Sequence, residues 1–420
     1  MAKTILVAAS TFPASATDTV PAFIKDQIIA LKMLHPEDTY AVVAPHDARS
    51  HTVTHSIHDA YDEHRFHYAW PHSFEKLAGH GILPALRANP LYYLLVPCLF
   101  IAEFFAIWRV TRRLRPDLLY AHWFTPQAVT MALVSKLTGV PFVYTTHAAD
   151  VSVWHKIPGL GDWIVRTVTK RARTLTAVSR RSLSKLEQFF SPQQWQQVQT
   201  KAAIIPMGVD TEDFAATRLP KQELRKEYKL TDEKVLFFIG RLAEKKGVTY
   251  LLQAFASLRA TSPSIRLIIG GDGPLRSSLE AEARNLGISE AVSFVGFLSG
   301  QDKNDYFHLA DIFVMPSIIT DDGDAEGMPV VLMEALASGQ VCVATNESGA
   351  DDILEDGRSG FLVVHKDTAA LKTALHTALN LPEAEARAMR VAAQHTAAQF
   401  SWPAIAKRYW DLFIAHSNSA

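Results

Sequence analysis

The sequence predicts an α/β protein made of two doubly wound parallel sheets, each the core of its own Rossmann-like domain. Three observations carry the prediction. Short buried strands alternate with amphipathic helical stretches, the pattern of parallel sheets covered by helices on both faces. That alternation runs through the chain twice, with a polar break in the middle. A length of 420 residues exceeds one ordinary domain but suits two of about 200 each.

The first series begins with Ile5-Leu-Val-Ala-Ala9, an apolar run short enough for a buried strand. It lacks the longer apolar region and cleavage site of a signal peptide, so a cytoplasmic location is expected. Strands are expected at 40–44, 118–121, 142–146, 174–177 and 203–205, separated by helical stretches such as 21–34 and 125–137. Pro206 and Gly208 end the last of these strands, which places the first domain at 1–208 and the second at 209–395. The second series expects strands at 235–239, 266–270, 292–295, 312–315, 341–344 and 361–363. Residues 396–420 contain an aromatic-rich stretch of helical periodicity, read as a helix packing back on the N-terminal domain. Ligands of open sheets lie beyond the carboxyl ends of the strands, and two such edges facing each other would form a cleft.

Composition narrows the function. Apolar residues make up 48% and charged residues 20%, with a formal net charge of −1, so nothing global points to nucleic acid. Cys98 and Cys342 are far apart and support neither a disulfide framework nor a Cys-based zinc site. Residues 91–108 are nearly all apolar, yet fall short of the roughly 20 residues of a spanning helix and include Pro97 and Glu103. A partly buried helix with an apolar outer face and a helix lying in a membrane interface are the two readings; spanning is the weakest. Arg109, Arg112, Arg113 and Arg115 follow, and Arg166, Lys170, Arg171, Arg173, Arg180, Arg181 and Lys185 form a second basic run. Such residues hold a protein on an anionic leaflet at about 1 kcal/mol each, or else form a solvated helix face.

Residues 321–339, Asp-Asp-Gly-Asp-Ala-Glu-Gly-Met-Pro-Val-Val-Leu-Met-Glu-Ala-Leu-Ala-Ser-Gly, say most about chemistry. Glu326 ends an acidic loop, and Glu334 is expected two turns into the following helix. A first turn at 327–330 would offer free N–H groups to a phosphate, while the two carboxylates accept from hydroxyls. Donors for phosphate beside acceptors for hydroxyls suit a nucleotide sugar. Gly240-Arg-Leu-Ala-Glu-Lys-Lys-Gly247 puts Arg241 and Lys246 at a strand end, where they fit a diphosphate or form a solvated basic turn. Gly271 lies in a Gly-rich strand-to-helix turn, and Val295-Gly296 ends the next strand; alone, each is a weak signal. His122 and His147 end strands of the first domain, and Asp150 follows His147 within a turn. His122 reads as a core histidine, whereas His147 could orient a sugar hydroxyl or move a proton. His51, His55, His58, His64, His67 and His72 lack metal-ligand spacing and read as surface. Asp322-Gly-Asp324 is the nearest acidic pair to a metal site and reads as a loop leading to Glu326.

In order and spacing, Gly-Arg-Leu…Lys-Lys-Gly, Gly-Asp-Gly-Pro, Val-x-Phe-Val-Gly, Ala310-Asp-Ile-Phe-Val-Met-Pro-Ser317 and the Glu326…Glu334 pair resemble the retaining nucleotide-sugar glycosyltransferases of family 4, with the GT-B fold. Asp-Gly-Asp-Ala-Glu-Gly is similar to the colanic-acid and exopolysaccharide branch, and Phe12-Pro13 with 19–31 resembles its acceptor-side start. The resemblance implies that Glu326 contacts the donor hexose, Glu334 the ribose, and Gly327, Met328 and Pro329 the diphosphate and sugar. Arg241 and Lys246 would neutralise the departing diphosphate, and His147 would reach the sugar. Gly240, Gly271, Val295 and Gly296 would line the nucleotide. It implies retention without a protein nucleophile. Two fixed cations can do what a divalent metal does elsewhere, so no metal or other cofactor is expected. The acceptor would be a glycan or a polyprenyl-diphosphate-linked sugar, with peripheral contact to an anionic membrane. An epimerase, a phosphorylase, or a non-catalytic sugar-nucleotide-binding subunit are the rival readings.

Overall fold

A computed structural model of the chain describes all residues except 1, 14–19, 21, 50–51, 79–80, 148–149, 322, 347–348 and 417–420. The chain divides into two compact units, one of residues 1–208 with 402–420, the other of residues 209–401.

The first unit holds an eight-stranded sheet: β1 Thr4–Ala8, β2 Thr39–Pro45, β3 His55–Ile57, β4 Asp62–Phe66, β5 Leu118–His122, β6 Phe142–Thr146, β7 Thr174–Ala177 and β8 Ala202–Ile204. Their order is β3-β4-β2-β1-β5-β6-β7-β8. All neighbours are parallel except β3 and β4. The central strands are apolar runs buried on both faces, such as Leu118, Leu119, Tyr120 and Ala121.

Strands β3 and β4 are absent from the sequence-based series. The sequence of β4, Asp-Glu-His-Arg-Phe, is polar, yet Glu63 and Arg65 are buried. They do so as an ion pair, and the Arg65 guanidinium also donates to the carbonyls of Pro45, Phe12 and Pro13. Buried charges are tolerated when paired and hydrogen-bonded, and that pairing is invisible to hydrophobic periodicity.

The apolar run forms a helix, Leu95–Leu114, and Pro97 sits in its first turn, where a missing N–H costs nothing. Leu99, Glu103, Ile107, Val110 and Thr111 are buried, while Ile101 is 59% and Phe105 55% exposed. It is a partly buried helix with an apolar outer face. Among the described residues, Pro90–Leu114 is the stretch long and apolar enough to cross a membrane. Two residues of the second basic run, both exposed, are tied to backbone carbonyls: Arg166 donates to Phe189 O and Arg171 to Ser135 O.

The helix Trp402–His416 belongs to the first unit. Tyr409 and Phe413 pack on Tyr120, Trp410 stacks on His35 at 4.1 Å, and Tyr409 Oη donates to Ile205 O at 3.0 Å. Gly208 is required beneath it, because a Cβ there would lie 2.4 Å from the Trp402 ring. Residues 396–401, expected in the tail, stay with the second unit.

The second unit is a six-stranded, all-parallel sheet: β9 Lys234–Ile239, β10 Ile265–Gly270, β11 Val292–Gly296, β12 Ile312–Met315, β13 Val341–Thr345 and β14 Phe361–Val363. Its order is β11-β10-β9-β12-β13-β14. The order reverses between β9 and β12, the switch point where open sheets bind ligands. Alternation along β9 sends Leu236 and Phe238 into one buried layer with Leu251 and Phe255, and Val235 and Phe237 into the other with Phe307 and Leu336.

Candidate functional site

In the second unit, three glycine-bearing strand ends lie side by side. Gly240 N donates to Gly270 O at 3.1 Å, and Gly271 N to Gly296 O at 2.6 Å. Gly271 has φ +112°, and a Cβ would fall 2.0 Å from Gly240 O, so only glycine lets these backbones touch. Thus Gly240, Gly271 and Gly296, with Val295 preceding it in β11, come together along the carboxyl edge.

Across the switch point, the loop after β9 is tied to the loop after β12. Lys246 ends a single 3₁₀ turn, Glu244–Lys246, and its Nζ lies 3.1 Å from Glu326 Oε2. Lys245 reaches Asp324 at 3.4 Å, and Lys245 O accepts from Ile318 N. Gly247 is in the left-handed region, where a Cβ would lie 1.9 Å from Pro316 O. This close approach brings Lys246 under the acidic loop. Burial pushes the Glu326 carboxyl up, but the charges of Lys246 and Lys245 outweigh it and hold the group below its ordinary value. Glu326 Oε1 is buried without a hydrogen-bond partner. Arg241, two residues past β9, is exposed and forms no ion pair among the described residues.

Glu334 shows the same half-satisfied state. Its Oε1 receives Lys303 Nζ at 2.6 Å, and its Oε2 is buried without a partner. Lys303 comes from the helix Gly300–Leu309 and had no sequence signal, being one lysine on an ordinary polar helix. Its ammonium also lies over the Phe214 ring at 5.1 Å. Each glutamate therefore has one oxygen fixed by a lysine and one free to accept from a hydroxyl.

Two local expectations change. The helix spans Val330–Ala337 with Pro329 as its N-cap, so Gly327, Met328 and Pro329 are loop rather than first turn. Val330 N donates to Met328 O and Leu332 N to Pro329 O, so those two donors are used locally. Glu334 is the fifth helical residue and sits about one turn in, not two. Gly349 lies against this loop. A Cβ on it would be 3.3 Å from both Gly327 O and Pro329 Cδ. Asp322 lies outside the described residues, so the Asp322–Asp324 pair has no structural account.

In the first unit, His147 follows β6 and His122 ends β5. His122 Nδ1 and His147 Nε2 are 3.1 Å apart. His147 packs between Phe23 at 5.3 Å and Trp123 at 4.8 Å, and desolvation lowers its pKa to about 3. His122 is fully buried, and burial, followed by the neighbouring His147, holds its pKa well below the ordinary histidine value. Both imidazoles are neutral at physiological pH, so each is a hydrogen-bonding group rather than a cation. Asp150 accepts from Phe124 N at 2.6 Å and Thr146 Oγ1 at 2.7 Å, which shapes the loop that carries His147.

The site therefore offers cations at a strand end and unsatisfied carboxylate oxygens beside a glycine-lined edge. Comparison with known proteins agrees with that chemistry. Residues 220–395 match the family model described as Glycosyl transferases group 1, and residues 48–213 that described as Glycosyltransferase Family 4. Over 285 residues the chain is 32% identical to a GDP-mannose-dependent alpha-(1-6)-phosphatidylinositol monomannoside mannosyltransferase of Mycolicibacterium smegmatis, covering 66% of this chain and 71% of the relative. It is 33% identical over 177 residues to the putative colanic acid biosynthesis glycosyltransferase WcaL of Salmonella typhimurium, covering 42% and 41% of the two chains. The crystal structure of Anabaena HepE in complex with UDP and glucose superposes with a TM-score of 0.70 at 19% identity, over 98% of this chain and all of that one.

Proposed function

Because the chain belongs to glycosyltransferase family 4 and has the GT-B fold, its activity is glycosyl transfer, and we propose that it transfers a hexosyl group from a nucleotide-diphosphate sugar, with retention, to a glycan or lipid-diphosphate-linked acceptor of a bacterial surface glycan. The observation that carries this reading is the Lys246–Glu326 pair at the switch point, with Glu326 Oε1 left unsatisfied. Glu326 accepts from hydroxyls of the hexose and Glu334 from those of the ribose. Lys246 and the exposed Arg241 neutralise the diphosphate as its bond to the anomeric carbon breaks. Gly327, Met328 and Pro329 lie along the diphosphate and sugar. The acceptor hydroxyl adds to that carbon on the same face, and its proton passes to the departing oxygen. With those cations in place the reaction needs no metal.

The acceptor reading draws on two supports. The mycobacterial relative acts, by its name, on a phosphatidylinositol mannoside, and WcaL is named for colanic acid synthesis. This chain also exposes Leu91, Tyr93, Leu94, Ile101 and Phe105 beside Arg109, Arg112, Arg113 and Arg115. That surface docks the first unit peripherally on the anionic, cytoplasmic face of a membrane.

The test is transfer from UDP-, GDP-, ADP- and TDP-linked sugars with EDTA present. Wild type should transfer to lipid-linked acceptor, and Glu326→Ala should lose at least about 100-fold in kcat. Undiminished transfer by Glu326→Ala would sink the assignment, and a requirement for Mg²⁺ would remove the metal-free step. Flotation with anionic liposomes, reversed by salt, checks the docking; protein remaining in the soluble fraction would refute it.

A further inference from the structure

The histidines that read as surface in the sequence are not scattered. Strands β2 and β4 pair in parallel with Pro45 opposite Phe66, so His46 and His67 follow as the next neighbours along the sheet edge. His46 N donates to Phe66 O at 2.9 Å, and the two imidazole rings lie 4.5 Å apart. Between them stands Glu75, fully buried. Its Oε2 faces His46 Nδ1 at 2.5 Å and His67 Nδ1 at 2.9 Å.

We propose that His46, His67 and Glu75 form a binding site for a divalent transition-metal ion of the zinc class, which fastens the segment after β4 to the carboxyl edge of the first sheet. The donor set is two imidazole nitrogens and one carboxylate oxygen, all within 4.8 Å of one another. Zinc bonds of about 2.0–2.2 Å to nitrogen and oxygen bring tetrahedral ligands to roughly 3.3 Å from each other, so small adjustments suffice. Imidazole with one carboxylate suits zinc, copper or nickel rather than magnesium or calcium.

The surroundings are built as a ligand shell requires. Glu75 Oε1 accepts from Tyr68 N at 2.7 Å and Ala69 N at 3.0 Å, which fixes the carboxylate and leaves Oε2 pointing at the histidines. Glu75 O accepts from Ala48 N, and Tyr68 Oη from Leu77 N, so both sides of the segment are held. His46 Nδ1 is buried and makes no directional hydrogen bond despite its 2.5 Å approach to the carboxylate. That approach is closer than an ordinary N–H···O bond. His72 stacks on His67 at 3.7 Å and lies 3.4 Å from Glu75 Oε1. It is the residue positioned to supply a fourth ligand on rotating its ring; otherwise water would.

Within the first unit the site lies away from His147. β2 is three strand steps from β6, which carries His147, or roughly 14 Å at the usual spacing. The proposal is thus independent of the metal-free transfer step.

Equilibrium dialysis of the full-length, EDTA-stripped protein against Zn²⁺, and titration with Co²⁺ as a spectroscopic stand-in, test it. One equivalent should bind with Kd below about 10 μM, and Co²⁺ should show the intense visible bands of a low-coordinate site. His46→Ala and His67→Ala should each weaken binding at least about 10-fold. His35→Ala, in the separate His35–Glu37–Asp38 group, should leave it unchanged. Failure of wild type to bind either ion, or unchanged binding in both ligand variants, would show a hydrogen-bonded histidine cluster and overturn the proposal. The wild-type spectrum decides the matter even if a variant does not fold.

Discussion

At the residue scale Lys246 holds Glu326, and in the proposed reaction it also meets the diphosphate. Without the lysines, burial alone would raise the Glu326 carboxyl; with them, its pKa is lowered. A lowered folded-state pKa means that the ionised group contributes stability above the ordinary carboxyl range, lost as pH falls through the folded value. Lys246→Met should therefore cost roughly 1–3 kcal/mol at pH 7, where a charge is left unpaired. The gap to wild type should hold down to about pH 4.5 and close only as pH falls below the ordinary carboxyl range, followed by thermal melting. The same variant should lose transfer activity more than it loses stability. At His147 the expectation is negative. Its pKa near 3 leaves no imidazole to titrate around neutrality, so the pH–rate profiles of wild type and His147→Asn should have the same shape between pH 6 and 8.

At the scale of elements, the helix Leu95–Leu114 carries a buried carboxyl. Glu103 accepts from Gln127 Nε2 and Thr130 Oγ1, both at 2.8 Å, yet burial raises its pKa to about 7. With the folded value above the unfolded one, its contribution is full at pH below about 4.5 and is lost as pH rises through 7. Glu103→Gln should be nearly neutral at pH 4.5. At pH 8 it should stabilise the first unit by on the order of 3 kcal/mol, measured by denaturant unfolding at both pH values. The strand-end loops make the opposite kind of demand. Gly271→Ala puts a Cβ against Gly240 O in a backbone region closed to other residues. It should cost about 1–3 kcal/mol and weaken nucleoside diphosphate binding along with it, as read by thermal shift.

For the whole molecule, the chain crosses from the second unit back to the first at Ser401, and the helix after it completes the first unit. Truncation after Ser401 would strip Tyr409, Trp410 and Phe413 from their contacts with Tyr120 and His35. The melting transition of the first unit should fall by several degrees or vanish. That of the second unit should still respond to nucleoside diphosphate, with about 2.7 kcal/mol of stabilisation at 100 Kd. Simultaneous loss of both transitions would show instead that the two units melt as one.

All twelve strands expected from the sequence start and end within one residue of where the structure places them, and four match outright, at Phe142–Thr146, Thr174–Ala177, Ile312–Met315 and Phe361–Val363; those expected at residues 5–9 and 203–205 are shifted by one residue along the chain. Their apolar runs state burial on both faces within five or six residues, and the glycines at their ends state close backbone approach. Glu326, Lys246 and the glycine edge could be read for the same reason, since short motifs follow the strands that position them. What stayed hidden depends on partners distant in the chain. β4 is stable because Arg65, paired with its neighbour Glu63, also reaches the carbonyls of Pro45, Phe12 and Pro13, which lie 20 to 53 residues away. Glu334 is oriented by Lys303, 31 residues away. His46, His67 and Glu75 meet only through the parallel register of β2 and β4. By itself the sequence determined two doubly wound sheets and the glycine-bearing strand ends beside Lys246 and Glu326, because hydrophobic period and glycine placement are local. Only the tertiary structure decided which charges are satisfied and which histidines converge, because hydrogen bonds and ion pairs are set by proximity in space.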